Sequence, residues 1–218
     1  VIIVPVLDIS DKVDISAKIK FKKAMLDRAR KILTSEAQAI QAIPLSETFE
    51  ESVKALISCR GKLITTGIGK AGYVARKAAS TFSTTGSPSI YLHPGDASHG
   101  DVGVIGKEDI LFAFSNSGGT REVLETVHFC KSLGISAVIS VTGNLDSVLA
   151  KESSIILDIG TIKEPCPLEM TPSASTAAML AISDALALVT MEERGFSKKD
   201  FALRHHGGYL GEKSREES

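Results

Sequence analysis

Between residues 62 and 159, five short apolar runs alternate with stretches patterned for helices, and this rhythm restricts the fold more than any other feature of the chain. The runs are Leu63–Thr66, Ser89–Leu92, Ile110–Phe114 and residues 137–141 and 155–159, each the right length for a buried strand. Residues 71–84, 122–133 and 145–150 between them repeat apolar side chains at helical spacing. Strands joined through helices are βαβ units, which predicts one α/β domain: a parallel sheet with helices on both faces. In such a sheet ligands bind beyond the carboxyl ends of the strands. The loops after Thr66, Leu92, Phe114 and Ile159 are therefore the places to look for function.

The flanks read as helix. From about Ile15 to Ile43, residues such as Ile19, Met25, Leu26, Ile32, Leu33 and Ile40 form one apolar stripe, and lysines and arginines fill the other face. Pro44 ends this helix, and a second one opens at Ser46 and closes near Gly61. The two are free to cover a sheet or to pair with a second subunit. Toward the other end, Ser173 is placed to cap a long helix through Arg194 that is apolar nearly all round, the pattern of a largely buried element. The tail from Glu212 to Ser218 is polar and expected to fray. The expected organisation is a single domain over 1–218, with N-terminal helices at about 15–60 and an α/β core at about 62–211.

Composition narrows the function classes. A net charge of −1 without a Lys/Arg cluster argues against nucleic acid or a membrane surface as partner. No unbroken apolar run approaches eighteen residues, and the opening Val1-Ile2-Ile3-Val4-Pro5 makes a poor signal peptide. Cys59, Cys130 and Cys166 have neither an even count nor CxxC spacing, so reduced thiols in a cytoplasmic protein are expected. The five histidines and three cysteines lack metal-ligand spacing, and no metal is predicted.

Ser115-Asn116-Ser117-Gly118-Gly119-Thr120 packs three hydroxyls and two glycines into the turn between a strand and a helix. Glycines allow close backbone approach, hydroxyls donate hydrogen bonds, and the helix start offers free N–H groups and positive dipole. That combination suits a phosphate. Gly67-Ile68-Gly69-Lys70-Ala71-Gly72 matches GxGxxG, but the second strand ends in Leu92-His93-Pro94 rather than in the acid a dinucleotide ribose needs. What remains is a glycine turn that lifts Lys70 to the top of the sheet, to clamp a phosphate or polarise a carbonyl, or simply to be solvated. His99, in the loop after the second strand, is an acid/base candidate. Glu122 in a first helical turn is also explained by the dipole alone. Glu164, in the proline-stiffened Lys163-Glu164-Pro165-Cys166-Pro167 segment, would be a fixed carboxylate base. His205-His206 precede a Gly-Gly pair, as where a chain bends around something.

Five motifs in order resemble one family. Gly-Ile-Gly-Lys at 67–70, His-Gly-Asp at 99–101, Ser-Asn-Ser-Gly at 115–118, Lys-Glu-Pro-Cys-Pro-Leu at 163–168 and Phe-Ala-Leu-Arg-His at 201–205 are similar to the sugar isomerase (SIS) domain of D-arabinose-5-phosphate isomerases. The resemblance implies a three-layer sandwich around a five-stranded flavodoxin-like parallel sheet, and a tetramer with active sites at subunit interfaces. It implies interconversion of D-ribulose 5-phosphate and D-arabinose 5-phosphate, the first step toward the lipopolysaccharide and capsule sugar Kdo, without metal or organic cofactor. It also implies that Gly69, Ser115, Asn116, Ser117 and Thr120 bind the substrate, chiefly its phosphate. Lys70, Glu122, Glu164 and His205 would form the catalytic set, with His99 close by. Aldose–ketose isomerisation moves a proton between C1 and C2 through an enediolate, work for a carboxylate such as Glu164 or Glu122, and a positioned base is worth about 10²–10⁴-fold.

The chain departs from the family pattern twice. It reads Ser117-Gly118-Gly119 where Ser-Gly-Glu is common, and His205-His206-Gly207-Gly208 where His-Pro-Gly-Gly is common. The CBS modules that follow many members are not expected here. Another phosphosugar isomerase of the same fold, or a sugar-phosphate-binding regulator, are the alternatives to the leading reading.

Overall fold

The computed structural model describes residues 15–205 and Gly207. The final loop at His206 and from Gly208 onward, with the polar tail, lies outside the described residues. In chain order the elements are helices α1 (Ile15–Gln41) and α2 (Glu47–Ser58), strand β1 (Leu63–Thr66), helix α3 (Gly69–Thr84), strand β2 (Ser89–Leu92) and short helix α4 (Pro94–Ala97). A 3-10 turn (Asp101–Val104) leads into strand β3 (Ile110–Phe114), helix α5 (Arg121–Ser132), strand β4 (Ala137–Thr142), helix α6 (Val148–Glu152) and strand β5 (Ile155–Asp158). Helices α7 (Ala174–Glu193) and α8 (Lys198–Ala202) complete the series.

The five strands form one parallel sheet in the order β2-β1-β3-β4-β5. Central β3 shows how the layers are made. Ile110, Phe112 and Phe114 point into a core shared with α2, α3 and α7, and Leu111 and Ala113 point into a core shared with α4, α5 and α6. All five side chains are buried, as expected of a strand covered on both faces. Phe112 anchors the first core, edge-on to Phe82 of α3 at 5.9 Å between centroids. The expected three-layer α/β architecture is thus the observed one.

Two details differ from expectation. Helix α6 begins three residues later than its apolar pattern suggests, because Asn144 and Ser147 spend the interval on a turn. The Asn144 side chain accepts from the Asp146 N–H at 3.1 Å, and the Ser147 hydroxyl then caps the helix through the Ala150 N–H at 3.2 Å. The start of α7 is not capped by the Ser173 side chain, which makes no cap bond. A carboxylate from an earlier loop takes its place, as described below.

α7 is long and apolar enough to cross a membrane, but here half of it is buried, in contact with α1, α2 and α3. α1 packs across α7 rather than onto the sheet, and much of its apolar stripe stays open. Phe21 is 60% exposed, Leu26 60% and Leu33 66%.

Candidate active site

The strand order places a topological switch between β1 and β3, whose chain continuations leave toward opposite faces and open a crevice at their carboxyl ends. A cavity of about 290 Å³ lies there. It is lined by Ile68, Lys70 and Ala71 from the start of α3, and by Phe114, Ser115, Asn116, Ser117 and Thr120 from the end of β3 and its loop. Pro172, Ser175, Thr176 and Met179, at the start of α7, form the facing wall. The glycine turn and the hydroxyl loop, read separately in the sequence, therefore meet in one cavity.

The hydroxyl loop is fixed by its own side chains and from behind. Ser115 Oγ lies 2.8 Å from Thr120 Oγ1 and accepts the Gly118 N–H at 3.1 Å. The Gly119 N–H reaches Ser117 Oγ at 3.3 Å. Donors from residues 142–149 take up the loop's carbonyls: the Gly143 N–H and Thr142 hydroxyl bond the Asn116 oxygen, and the Leu149 N–H bonds that of Gly118. Gly118 is a glycine for two reasons. Its φ is +62°, and an added Cβ would lie 2.0 Å from Ser147 Oγ. Thr120 makes no cap bond to α5, and among the described residues the N–H groups of Arg121 and Glu122 donate to no acceptor. The helix start is left open toward an anion.

The start of α7 is arranged in the opposite way. Glu164 sits in the loop that follows β5, and its carboxylate accepts the N–H groups of Ser173 at 2.8 Å, Ala174 at 2.9 Å and Ser175 at 3.2 Å. Burial pushes this carboxyl's pKa up, but the Ser175 hydroxyl and the three N–H groups outweigh that and hold it below its ordinary value of 4.5. The carboxylate is fixed, as expected, but what fixes it is a helix start, and Glu164 stands outside the cavity lining. Two residues on, the Cys166 sulfur accepts the Thr171 and Met170 N–H groups, each at 3.3 Å, and these lower its thiol to about 7. Lys163 is turned away into an ion pair with Glu169 at 2.7 Å.

The other expected residues are distributed more widely. Gly69 opens α3 with φ +61° and lines a neighbouring cleft with Gly72, Tyr73, Arg76, Tyr91 and His93, where the Arg76 guanidinium lies 4.4 Å over the Tyr91 ring. Glu122 stands half-buried in the first turn of α5, outside the cavity lining. His99 is exposed between α4 and the 3-10 turn.

His205 is at the far end of the molecule. α7 runs from the cavity down the sheet, a 20-residue helix about 30 Å long. Its end is pinned by Arg194 donating to the carbonyls of Gly86 and Leu56. Phe196 packs on Gly86, Arg204 lies over Phe196, and His205 stacks on Phe201 at 4.0 Å, its Nδ1 buried and without a partner among the described residues. Sequence reasoning missed the α7 wall. Its only signal was Thr171-Pro172-Ser173, which marked a helix start without saying where that start would lie.

Residues 56–189 match the SIS domain. Over 185 residues, 84% of its length, the chain is 40% identical to the arabinose 5-phosphate isomerase KdsD of Pseudomonas aeruginosa, of which it covers 56%. The chain thus spans little more than half the length of that curated relative. Among solved structures, a Bacteroides fragilis protein, a proposed phosphosugar isomerase involved in capsule formation, is 42% identical with a TM-score of 0.82. That match covers 85% of this chain and 99% of the other. A protein of Escherichia coli CFT073 in complex with A5P is 35% identical with a TM-score of 0.80, over 84% of this chain and 98% of that one.

Proposed function

The chain belongs to the SIS domain family, and from that premise we propose that it is an aldose–ketose isomerase interconverting D-ribulose 5-phosphate and D-arabinose 5-phosphate, in the supply of Kdo. The observation that carries the proposal is the meeting of an open, hydroxyl-rich helix start and Lys70 across a cavity of about 290 Å³. A cavity of that size is at the small end of ligand sites and suits a pentose phosphate. The KdsD relatives and the A5P-bound neighbour support the choice of sugar.

Ser115, Ser117 and Thr120, helped by Asn116 and the open N–H groups of α5, hold the phosphate. Gly69 lets the backbone turn so that Lys70 faces the sugar. Lys70 then stabilises the enediolate oxygen, which carries charge only as the reaction proceeds. Ring opening and hydroxyl proton movement fall to His205 or His99. A carboxylate, Glu122 or Glu164, carries the proton between C1 and C2.

His205 lies at the opposite end of its own sheet, so another protomer supplies it, consistent with a tetramer whose sites lie at subunit interfaces. The open apolar stripe of α1 is the kind of surface such an assembly covers. Residues from about 62 onward serve as the α/β core of one domain, with α1 and α2 as its N-terminal extension. A sugar-phosphate substrate and three free cysteines fit a cytoplasmic setting.

Proton NMR of the protein with D-ribulose 5-phosphate in deuterated buffer tests the reading. The expected result is arabinose 5-phosphate anomeric signals with solvent deuterium at C2, lost in Lys70→Ala. Binding without turnover in the unsubstituted protein would overturn it.

A further inference from the structure

α7 turns one face to the cavity. Ser175, Thr176 and Met179 line it together, at the spacing that keeps residues on one side of a helix. Met179 stands four residues past Ser175, about 6 Å further along the axis. Because α7 runs from the cavity down the sheet, that step leads from the polar sides of the cavity to its floor. Phe114 meets Met179 there. Both line the cavity, they are 0% and 1% exposed, and both belong to the core shared with α2, α3 and α7. The cavity therefore has hydroxyls and Lys70 around its sides, and its floor is the top of the hydrophobic core.

Building on the isomerase reading above, we propose that Met179 is a specificity-determining residue, the floor that limits the sugar phosphate to five carbons. The phosphate at the α5 start and the carbonyl end beside Lys70 are two fixed points. A six-carbon phosphate puts one more CHOH group between them, so its chain has to bow, and Met179 denies it the floor. That side chain is packed among core residues, and moving it aside would open a void in them. The hydroxyl loop opposite cannot yield either, because residues 142–149 hold it from behind. Alanine at 179 would remove Cγ, Sδ and Cε, whereas the extra CHOH group brings in only one carbon and one oxygen.

Two unreactive sugar alcohols, D-arabinitol 5-phosphate and D-glucitol 6-phosphate, differ by that one group. Titrated calorimetrically into the whole chain, the five-carbon compound is expected to bind the unsubstituted protein at least about tenfold more tightly. Met179→Ala is expected to cut this preference at least about tenfold, mainly through tighter binding of the six-carbon compound. A merely structural role would weaken both by the same factor, so an unchanged ratio overturns the inference. Absence of any preference in the unsubstituted protein, or binding of neither compound, overturns it as well.

If Met179→Ala does not fold, Met179→Val keeps more of the core packing and still shortens the reach of the side chain. It is expected to move the ratio the same way, by at least about threefold, and an unchanged ratio again defeats the inference. Neither measurement needs turnover. Should the isomerase reading itself fail, D-ribulose 5-phosphate is not converted by the unsubstituted protein, while the two affinities still decide the role of Met179.

Discussion

α5 and α7 both begin at the rim of one cavity, and the chain treats them differently. At α5 the Thr120 side chain bonds sideways to Ser115 rather than to its own helix, and among the described residues the first N–H groups are left without acceptors. At α7 a carboxylate nine to eleven residues earlier takes three of those groups. A helix start offers the same backbone donors wherever it lies. Whether it becomes a ligand site is decided by what the rest of the chain brings to it. Here the hydroxyl-rich end keeps its donors vacant and the proline-bounded end has them filled by Glu164.

Removing the vacant end should have the largest effect. Ser115→Ala with Ser117→Ala deletes two hydroxyls from the loop, and a hydrogen bond to a charged group is worth about 1.5–3 kcal/mol, so kcat/KM should fall about 10²–10⁴-fold. Steady-state assay with D-ribulose 5-phosphate measures this, and a loss under tenfold would move the phosphate elsewhere.

Deforming the vacant end without touching its hydroxyls is the next test. Gly118→Ala sets a Cβ 2.0 Å from Ser147 Oγ at a left-handed φ, with an expected cost of about 1–3 kcal/mol read as a lower urea midpoint. The filled end is the site of a smaller effect. Glu164→Ala should cost about 1 kcal/mol, the usual value of a lost cap. Because the folded carboxyl titrates below its ordinary 4.5, that contribution is complete above pH 4.5 and disappears as pH falls through the lowered folded value. Urea midpoints of variant and parent should converge in acid, and a constant gap would mean that the charge is irrelevant.

The smallest effect is confined to the segment leading into α7. Alkylation of Cys166 should be half-maximal near pH 7, because two N–H groups stabilise its thiolate. Cys130, pushed up to about 12 by burial, should stay unreactive in the folded protein. Mass spectrometry after brief iodoacetamide treatment separates the two thiols.

The vacant end was legible in the sequence and the filled end was not. Residues 110–134 announce strand, turn and helix within one continuous stretch, so the positions of Ser115, Ser117 and Thr120 followed from local pattern alone. Glu164 was legible as a carboxylate in a stiff loop. Its partners are backbone N–H groups, which every residue but proline carries, and no residue type marks them. Ser173 looked like the natural cap, yet its hydroxyl is buried without a partner among the described residues, because Glu164 takes the donors. The position of His205 was in principle readable. A helix of about twenty residues that starts at the ligand end of a short-stranded sheet must finish at the other end, and whatever follows finishes there too.

The cavity draws its lining from residues as early as Ile68 and as late as Met179. A chain leaving the ribosome N-terminus first has its hydroxyl loop in hand long before the wall opposite exists. The loop, with its donors and its buttress from residues 142–149, can be complete while nothing yet shelters a ligand from water. Glu164 emerges just before the helix start it caps, so the acceptor for those three N–H groups is in the chain before the groups themselves. Because Pro172 to Met179 supply its facing wall, the cavity is complete only once the start of α7 is in place.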